Sequence, residues 1–299
     1  MKMKKNEDVV FQYIVNIILF LVAVLTLMPF VILFMSSFAS EKSLVLNGYK
    51  FIPQEFSLEA YSYIFRRADT IFRSYFITVF ITVVGTAAGL ILTTTLAYPL
   101  SRKDFTKRNL FSFIVYFTML FNGGLVPSYM MWTRVFNIKN TILALIIPGL
   151  LMNAFNVLLM KNYFSSNIPK ELIEAAQIDG AGEFRIFLKI ILPLSLPIMA
   201  TIGLLTGLAY WNDWINGLYY VTDSNLFSIQ VLLSRILSDI QFMLTRTTAT
   251  GISSTNISSI PSVSIRMAIA VLGIIPIMII FPFFQKYFVK GMTIGSVKG

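Results

Sequence analysis

The chain alternates long apolar stretches with short charged ones. Six windows contain no Asp, Glu, Lys or Arg: Val9–Ser40, Ser74–Ser101, Asn109–Thr133, Asn140–Met160, Ile190–Asn212 and Met267–Gln285. A helix crossing a bilayer needs roughly 20 mostly apolar residues, and each window can hold one. The runs are continuous rather than alternating, which argues against membrane strands. The pattern predicts an all-α integral membrane protein with six transmembrane helices, over 10–38, 73–100, 110–131, 141–161, 190–213 and 266–286. A seventh uncharged run, Thr247–Ile265, is rich in Ser, Thr and Asn. Those polar groups would be costly in lipid, so it reads as an exposed loop. The first apolar run reaches about Phe38, well past the roughly 7–15 residues of a signal-peptide core, and predicts a retained anchor.

Composition agrees with this pattern. The 299 residues are 56% hydrophobic and 13% charged, and the mean hydropathy is +0.75. The net charge of +10 could signal nucleic acid, but its distribution points to a membrane. Lys2, Lys4 and Lys5 precede the first window; Arg102, Lys103, Lys107 and Arg108 follow the second; Lys161, Lys170, Arg185 and Lys189 sit between the fourth and fifth; Lys286, Lys290 and Lys298 follow the sixth. The positive-inside rule then predicts that both termini are cytoplasmic, with the lipid bilayer rather than nucleic acid as the partner of the charge. In this layout residues 167–189 form a cytoplasmic loop, 214–265 an outer segment and 287–299 a cytoplasmic tail. Periodic apolar residues through about Asp239 predict a short amphipathic helix in the outer segment. Its second half, Thr245–Ser264, reads as mobile.

The chemistry available is narrow. The chain has no Cys and no His, so Cys/His metal sites, disulfides and a Ser-His-Asp triad are excluded. It has no Gly-Lys dipeptide and therefore no P-loop. Any ATP that drives this protein, with its Mg, is bound by another chain; this one binds no cofactor and is not an enzyme. The windows also lack the mid-membrane ionisable residues that ion-coupled carriers use, which disfavours the alternative of a six-helix secondary transporter subunit.

Prolines at 29, 99, 127, 148, 197, 276 and 282 fall within or at the ends of the windows and predict kinks. Asn122-Gly123-Gly124 before Pro127 predicts unwinding in the third window, with Asn122 a candidate on a translocation path. At the end of the fifth window, Tyr210-Trp211-Asn212-Asp213-Trp214 combines aromatic faces with polar side chains. Sugar rings need both, so Trp211, Asn212, Asp213 and Trp214 are substrate-path candidates. The alternatives are an interfacial aromatic belt and a carboxylate that pairs with a basic residue to hold helices together.

The stretch Glu171–Pro193 is amphipathic and charged between two apolar windows. Pro169 suits a first helical turn, with Asn167 before it as the initiating side chain. Glu171 and Glu174 sit where the helix dipole favours anions. Leu172, Ala175 and Ala176 share spacings of three and four and predict a smooth apolar face. Asp179 follows, Gly180 and Gly182 end or bend the helix, and Phe184, Phe187 and Leu188 begin another. A small-residue face with an acidic rim suits a shallow groove on a partner; an ordinary cytoplasmic turn of helix is the alternative.

Glu174-Ala175-Ala176, then Gly180, then Ile190-x-Leu192-Pro193 resembles the EAA loop of ABC importer permeases at every fixed position. Asp179-Gly180-Ala181 and Leu192-Pro193-Leu194-x-x-Pro197 resemble the carbohydrate branch of that family. The segment from Phe284 to Gly299, with Gly291, Gly295 and Lys298, is similar to the C-terminal tail of MalG-type sugar permeases. Asn122-Gly123-Gly124-Leu125-Val126-Pro127-Ser128-Tyr129 resembles the LplC/YtcP subgroup, associated with complex oligosaccharides. The resemblance implies a type I ABC importer permease fold in a bacterial plasma membrane. It also implies a second homologous permease subunit, two copies of an ABC ATPase docked on Glu171, Glu174, Ala175, Ala176, Asp179 and Gly180, and an extracellular sugar-binding lipoprotein. The tail would face the ATPases. A permease of the same family for a non-sugar solute is the remaining alternative.

Overall fold

The computed structural model describes residues 2–66, 68–250 and 262–296, which are helical apart from short connections. In chain order the helices are α1 (Lys2–Ser37), α2 (Glu41–Asn47), α3 (Glu59–Phe65), α4 (Ala68–Ser101), α5 (Arg108–Leu120) and α6 (Leu125–Met130). A π-turn (Met131–Val135) follows, then α7 (Leu143–Ile146), α8 (Ala154–Asn167), α9 (Lys170–Ile178) and α10 (Glu183–Ile186). After a second π-turn (Phe187–Ile191) come α11 (Leu192–Leu194), α12 (Leu196–Trp211), α13 (Ile215–Tyr220), α14 (Ile229–Thr250) and α15 (Ser262–Ser296). They form two compact units, one of Met1–Ala68 and Ile236–Pro276, the other of Asp69–Arg235 and Ile277–Gly299.

In the first unit, α1 keeps a strongly apolar stretch, Val9–Ser37, of which 0% of the most apolar 18-residue window is buried. Its side chains are apolar all round, as a lipid-facing span requires. The chain then turns: Ser57 N–H donates to the Phe38 carbonyl at 2.8 Å and Ser40 N–H to that of Glu55 at 3.0 Å. Glu41 at the start of α2 reaches the N-terminus of α15. Its carboxylate accepts from Val263 N and Ser264 N, both at 2.9 Å, and from Ser264 Oγ at 3.0 Å. A helix start leaves backbone donors unpaired, and an anion there satisfies them and the dipole together.

The second unit is organised by α4. Ile77, Ile81, Gly85, Gly89, Thr93 and Ala97 are all buried; their four-residue interval makes one stripe along the helix. Gly85 is required by proximity: a Cβ there would lie 2.4 Å from the Tyr210 ring. One core gathers Ile77, Ile81, Ala144, Leu145, Ile146, Tyr210 and Tyr220. The other gathers Ala97, Leu100, Met160, Phe164, Ile186, Ile191 and Ile202.

Among the described residues, three helices are long and apolar enough to cross a membrane, or five if each of two bent pairs is one span. The third expected span is bent by 112° between Leu120 and Leu125, where Gly124 takes a left-handed φ of 87°. The fifth is bent by 78° between Leu194 and Leu196, with Pro193 and Pro197 at the starts of α11 and α12.

The fourth, expected as one span over 141–161, is not a continuous helix. Its helix α7 stops at Ile146 and α8 begins only at Ala154. Pro148 removes a backbone donor and disfavours helix at Ile147, Gly149 is left-handed at φ 71°, and Asn153 restarts the helix by accepting from Phe155 N at 2.9 Å. Two of the carbonyls at this break find side-chain donors. Tyr210 Oη donates to Ile146 O at 2.8 Å, and Asn216 Nδ2 to Pro148 O at 2.9 Å. Irregular backbone at membrane depth persists on these terms.

The segment 214–265 is richer in structure than a loop. The amphipathic helix expected there, α14, runs on to Thr250, and Thr245–Thr250 belong to it. The remainder of the Ser/Thr-rich stretch, 251–261, lies outside the described residues.

Candidate functional site

The stretch between α8 and α12 has the helix–turn–helix form that its residues predict. Asn167 is the last residue of α8 and does not cap α9; Pro169 occupies the capping position without a side-chain hydrogen bond. Buried Ile168 anchors this junction in the second core.

Helix α9 divides its apolar residues between two directions. Ile173 and Ala176 pack on the core formed by α4, α8 and α12. Leu172 and Ile178 are 45% and 87% exposed, and Ala175 is exposed with Glu171, Glu174 and Asp179. The expected face of Leu172, Ala175 and Ala176 is thus split: Ala176 belongs to the anchor, and Ile178 takes its place outward. Beyond the turn, Phe184 is 76% exposed.

The turn itself is set by Gly180, whose φ is 76°. Gly180 N–H donates to Gln177 O at 3.0 Å and Ala181 N–H to Ala176 O at 2.9 Å. These bonds close the last carbonyls of α9 through a left-handed residue, for which glycine has no Cβ penalty. A Cβ on Gly180 would meet nothing within 4 Å, so conformation rather than space requires glycine here.

A polar hub ties this loop to the end of α4. Glu183 accepts from Arg102 Nη2 at 3.3 Å, from Gln177 Nε2 at 3.0 Å and from the Tyr98 hydroxyl. Arg102 also grips Asp104 with two bonds, Nε to Oδ1 at 2.9 Å and Nη2 to Oδ2 at 2.7 Å. The hydrogen bond from Arg102 holds the Asp104 carboxyl below the usual carboxylate range. Local sequence marks Arg102 only as a basic residue after the second window and does not mark Glu183, Gln177 or Tyr98. The partners of Glu183 in α4 and beyond it lie more than 80 positions away, at separations of 85 for Tyr98 and 81 for Arg102, so no local pattern reports them.

The substrate-path candidates are adjacent in sequence but have separate duties. Trp211 is buried, its ring 6.5 Å from that of Tyr75. Asn212 Nδ2 donates to Leu208 O at 2.9 Å. Asp213 Oδ1 starts α13 by accepting from Ile215 N at 3.2 Å and Asn216 N at 3.3 Å. Among the described residues, both ion pairs are made by Arg102. Trp214 is 46% exposed. Asn122 shapes the break before α6 by accepting from Gly124 N at 2.9 Å. Trp211 also lines an apolar cavity of about 420 Å³ together with Thr82, Thr86, Gly203 and Gly207. Of the tail, Gly291 and Gly295 fall within α15; Lys298 lies outside the described residues.

Comparison with known proteins follows the same direction. The family described as "Binding-protein-dependent transport system inner membrane component" matches residues 60–294. The polygalacturonan/rhamnogalacturonan transport system permease protein YtcP of Bacillus subtilis (strain 168) is 40% identical, over 97% of this chain and 98% of its own. Protein LplC of the same organism is 41% identical, over 94% of this chain and 93% of its own. A crystal structure of a bacterial ABC transporter involved in the import of the acidic polysaccharide alginate contains a chain similar in fold. The TM-score is 0.77 at 30% sequence identity, covering 94% of this chain and 98% of that one.

Proposed function

The chain belongs to the family of binding-protein-dependent transport system inner membrane components, and on that premise we propose that it is one permease subunit of an ATP-driven oligosaccharide importer whose α9 loop docks on a separate ATPase. The observation that carries this reading is the division of the loop. One side of α9 is locked onto the membrane core by Ile173 and Ala176, while Ile178 and Phe184 stand in solvent beside Glu171, Glu174 and Asp179. An isolated subunit gains nothing from exposing those two side chains, whereas a partner that covers them gains about 1.5–3 kcal/mol for each. The acidic rim suits basic residues around the partner's groove.

The proposed orientation places this loop and both termini in the cytoplasm, consistent with the basic residues flanking it. A second homologous permease would complete the pathway, two ATPase copies would supply ATP and Mg, and an extracellular sugar-binding lipoprotein would deliver cargo. Glu183 and Arg102 provide the path by which movement of a docked α9 reaches α4. A conformational drive of this kind requires the ATPase to hold the loop differently in its two states. The carbohydrate cargo is supported by YtcP and the alginate importer.

The test is co-expression with the ATPase and co-purification. The wild-type chain is expected to retain the ATPase, and the double variant Ile178→Asp, Phe184→Asp to lose it while still inserting in the membrane. Full retention by that variant would remove the docking assignment. Uptake of labelled oligosaccharides by the assembled importer tests the cargo separately.

A further inference from the structure

Beside the α9 loop, the same unit encloses a cavity of about 650 Å³. Its charged lining is Arg102, Lys103, Asp104, Arg108, Lys170 and Glu174, over an apolar floor that includes Phe164 and Ile168. Arg102 is already engaged by Asp104 and Glu183. That leaves Lys103, Arg108 and Lys170 facing Glu174 as the one remaining carboxylate of the lining.

The excess positive charge is crowded. Lys170 and, after it, Arg108 hold Lys103 below the usual lysine range, and all three line the same cavity. Like charges share such a space at a cost that an anion between them reverses. Arg108 and Lys170 also open α5 and α9, so both helix dipoles add positive potential to the same space. The cavity is larger than an inorganic anion needs, and its mixed floor accommodates an attached carbon skeleton.

We propose that this cavity binds a phosphate-bearing anion, with Lys103, Lys170 and Arg108 as its ligands. Lys103 follows α4 and Lys170 begins α9, so an anion held by both clamps the base of the docking loop to the end of α4. Occupancy thereby sets the stiffness with which α9 passes force inward. Two sources offer this chemistry: the headgroup of an anionic phospholipid, or a free phosphate compound. The lipid source and the regulatory role rest on the orientation and docking proposed above; the binding itself does not.

The experiment uses the full-length chain purified in a neutral detergent, with binding read by native mass spectrometry. The probes are inorganic phosphate, short-chain phosphatidylglycerol and phosphatidylcholine of the same chain length. The proteins are wild type, Lys103→Gln/Lys170→Gln, and Lys42→Gln/Lys50→Gln as an equal charge change elsewhere. Phosphatidylglycerol, inorganic phosphate or both are expected to bind the wild type, and about tenfold or more weakly the Lys103→Gln/Lys170→Gln variant. The Lys42→Gln/Lys50→Gln protein should match the wild type. Binding of phosphatidylglycerol without phosphate identifies the lipid source; binding of phosphate at comparable strength identifies the free one. Lys103 is exposed, so Lys103→Gln alone gives a smaller loss without a packing change. Equal affinity for phosphatidylcholine, equal weakening in the two double variants, or no binding of either anion would overturn the proposal. The ATPase takes no part in this measurement, so failure of docking and failure of anion binding are told apart.

Discussion

Arg102 and Glu183 meet at 3.3 Å although 81 positions separate them. Arg102 is nearly enclosed and Glu183 half open, with side-chain exposures of 13% and 55%. Such a pair adds little stability, about 0–1 kcal/mol, and its value lies in direction: it joins the loop that faces a partner to the end of the central helix. Glu183→Ala also removes the acceptor of Gln177 and Tyr98, so it is expected to cost about 1–3 kcal/mol of stability and leave ATPase co-purification intact, while reducing coupled uptake several-fold. Uptake at the wild-type rate in reconstituted vesicles would show that force travels by another route.

Gly180→Ala places a Cβ on a left-handed residue with open space around it. Strain alone should act, at about 1–2 kcal/mol. Gly180→Asn should cost less, because Asn tolerates that region better. Hydrogen exchange of the α9 amides checks this order; equal protection in Ala and Asn variants would contradict it.

Tyr210→Phe removes the donor to Ile146 O in the broken fourth segment. A buried carbonyl left unpaired costs about 1–3 kcal/mol. Asn216→Leu strands Pro148 O in the same way. The two carbonyls belong to one irregular turn, so the double variant should lose less than the two separate losses combined. Denaturation midpoints in detergent measure this; strict additivity would mean that the two bonds support different structures.

Glu41→Ala strips the N-terminus of α15 of its anion and is expected to destabilise the first unit by about 1–2 kcal/mol. Glu41→Gln keeps an acceptor without the charge and should lose roughly half as much. A proteolysis time course on both variants distinguishes them, and identical resistance to the wild type would show the cap to be dispensable.

The long helices were legible because continuous apolar sequence has few other fates. The expected spans 10–38 and 73–100 fall on α1 and α4, although α4 begins earlier, at Ala68, and takes in Asp69 and Arg73. The ends of α9 were legible too, since Pro169 and Gly180 impose backbone constraints that hold in any context. The fourth segment was not. Hydropathy reports where a residue is comfortable, not whether the helix through it is continuous, and the groups that make its break tolerable, Tyr210 and Asn216, lie 64 and 68 positions away. The polar cluster after α12 has a second role that its sequence does not separate from the first. Asn and Asp suit a sugar, and they suit helix ends equally well; the geometry assigns Asn212 and Asp213 backbone partners. Ala176 and Ile178 could not be told apart by spacing, because the direction of the core is fixed by α4, α8 and α12 rather than by α9.

The π-turn at Phe187–Ile191 carries a consequence for the arithmetic of the loop. Leu192 N–H reaches back five residues to Phe187 O, so this turn holds one residue more than an α-helix would use. Each residue advances a helix by about 100°, and that surplus sets the azimuth at which α11 leaves the loop. Deleting a single residue between Gly180 and Ile190 would let the turn relax to ordinary helix and rotate everything beyond it, with no loss of hydrophobicity and no change in helix content. The count of residues in this interval is therefore a phase setting for the span that follows.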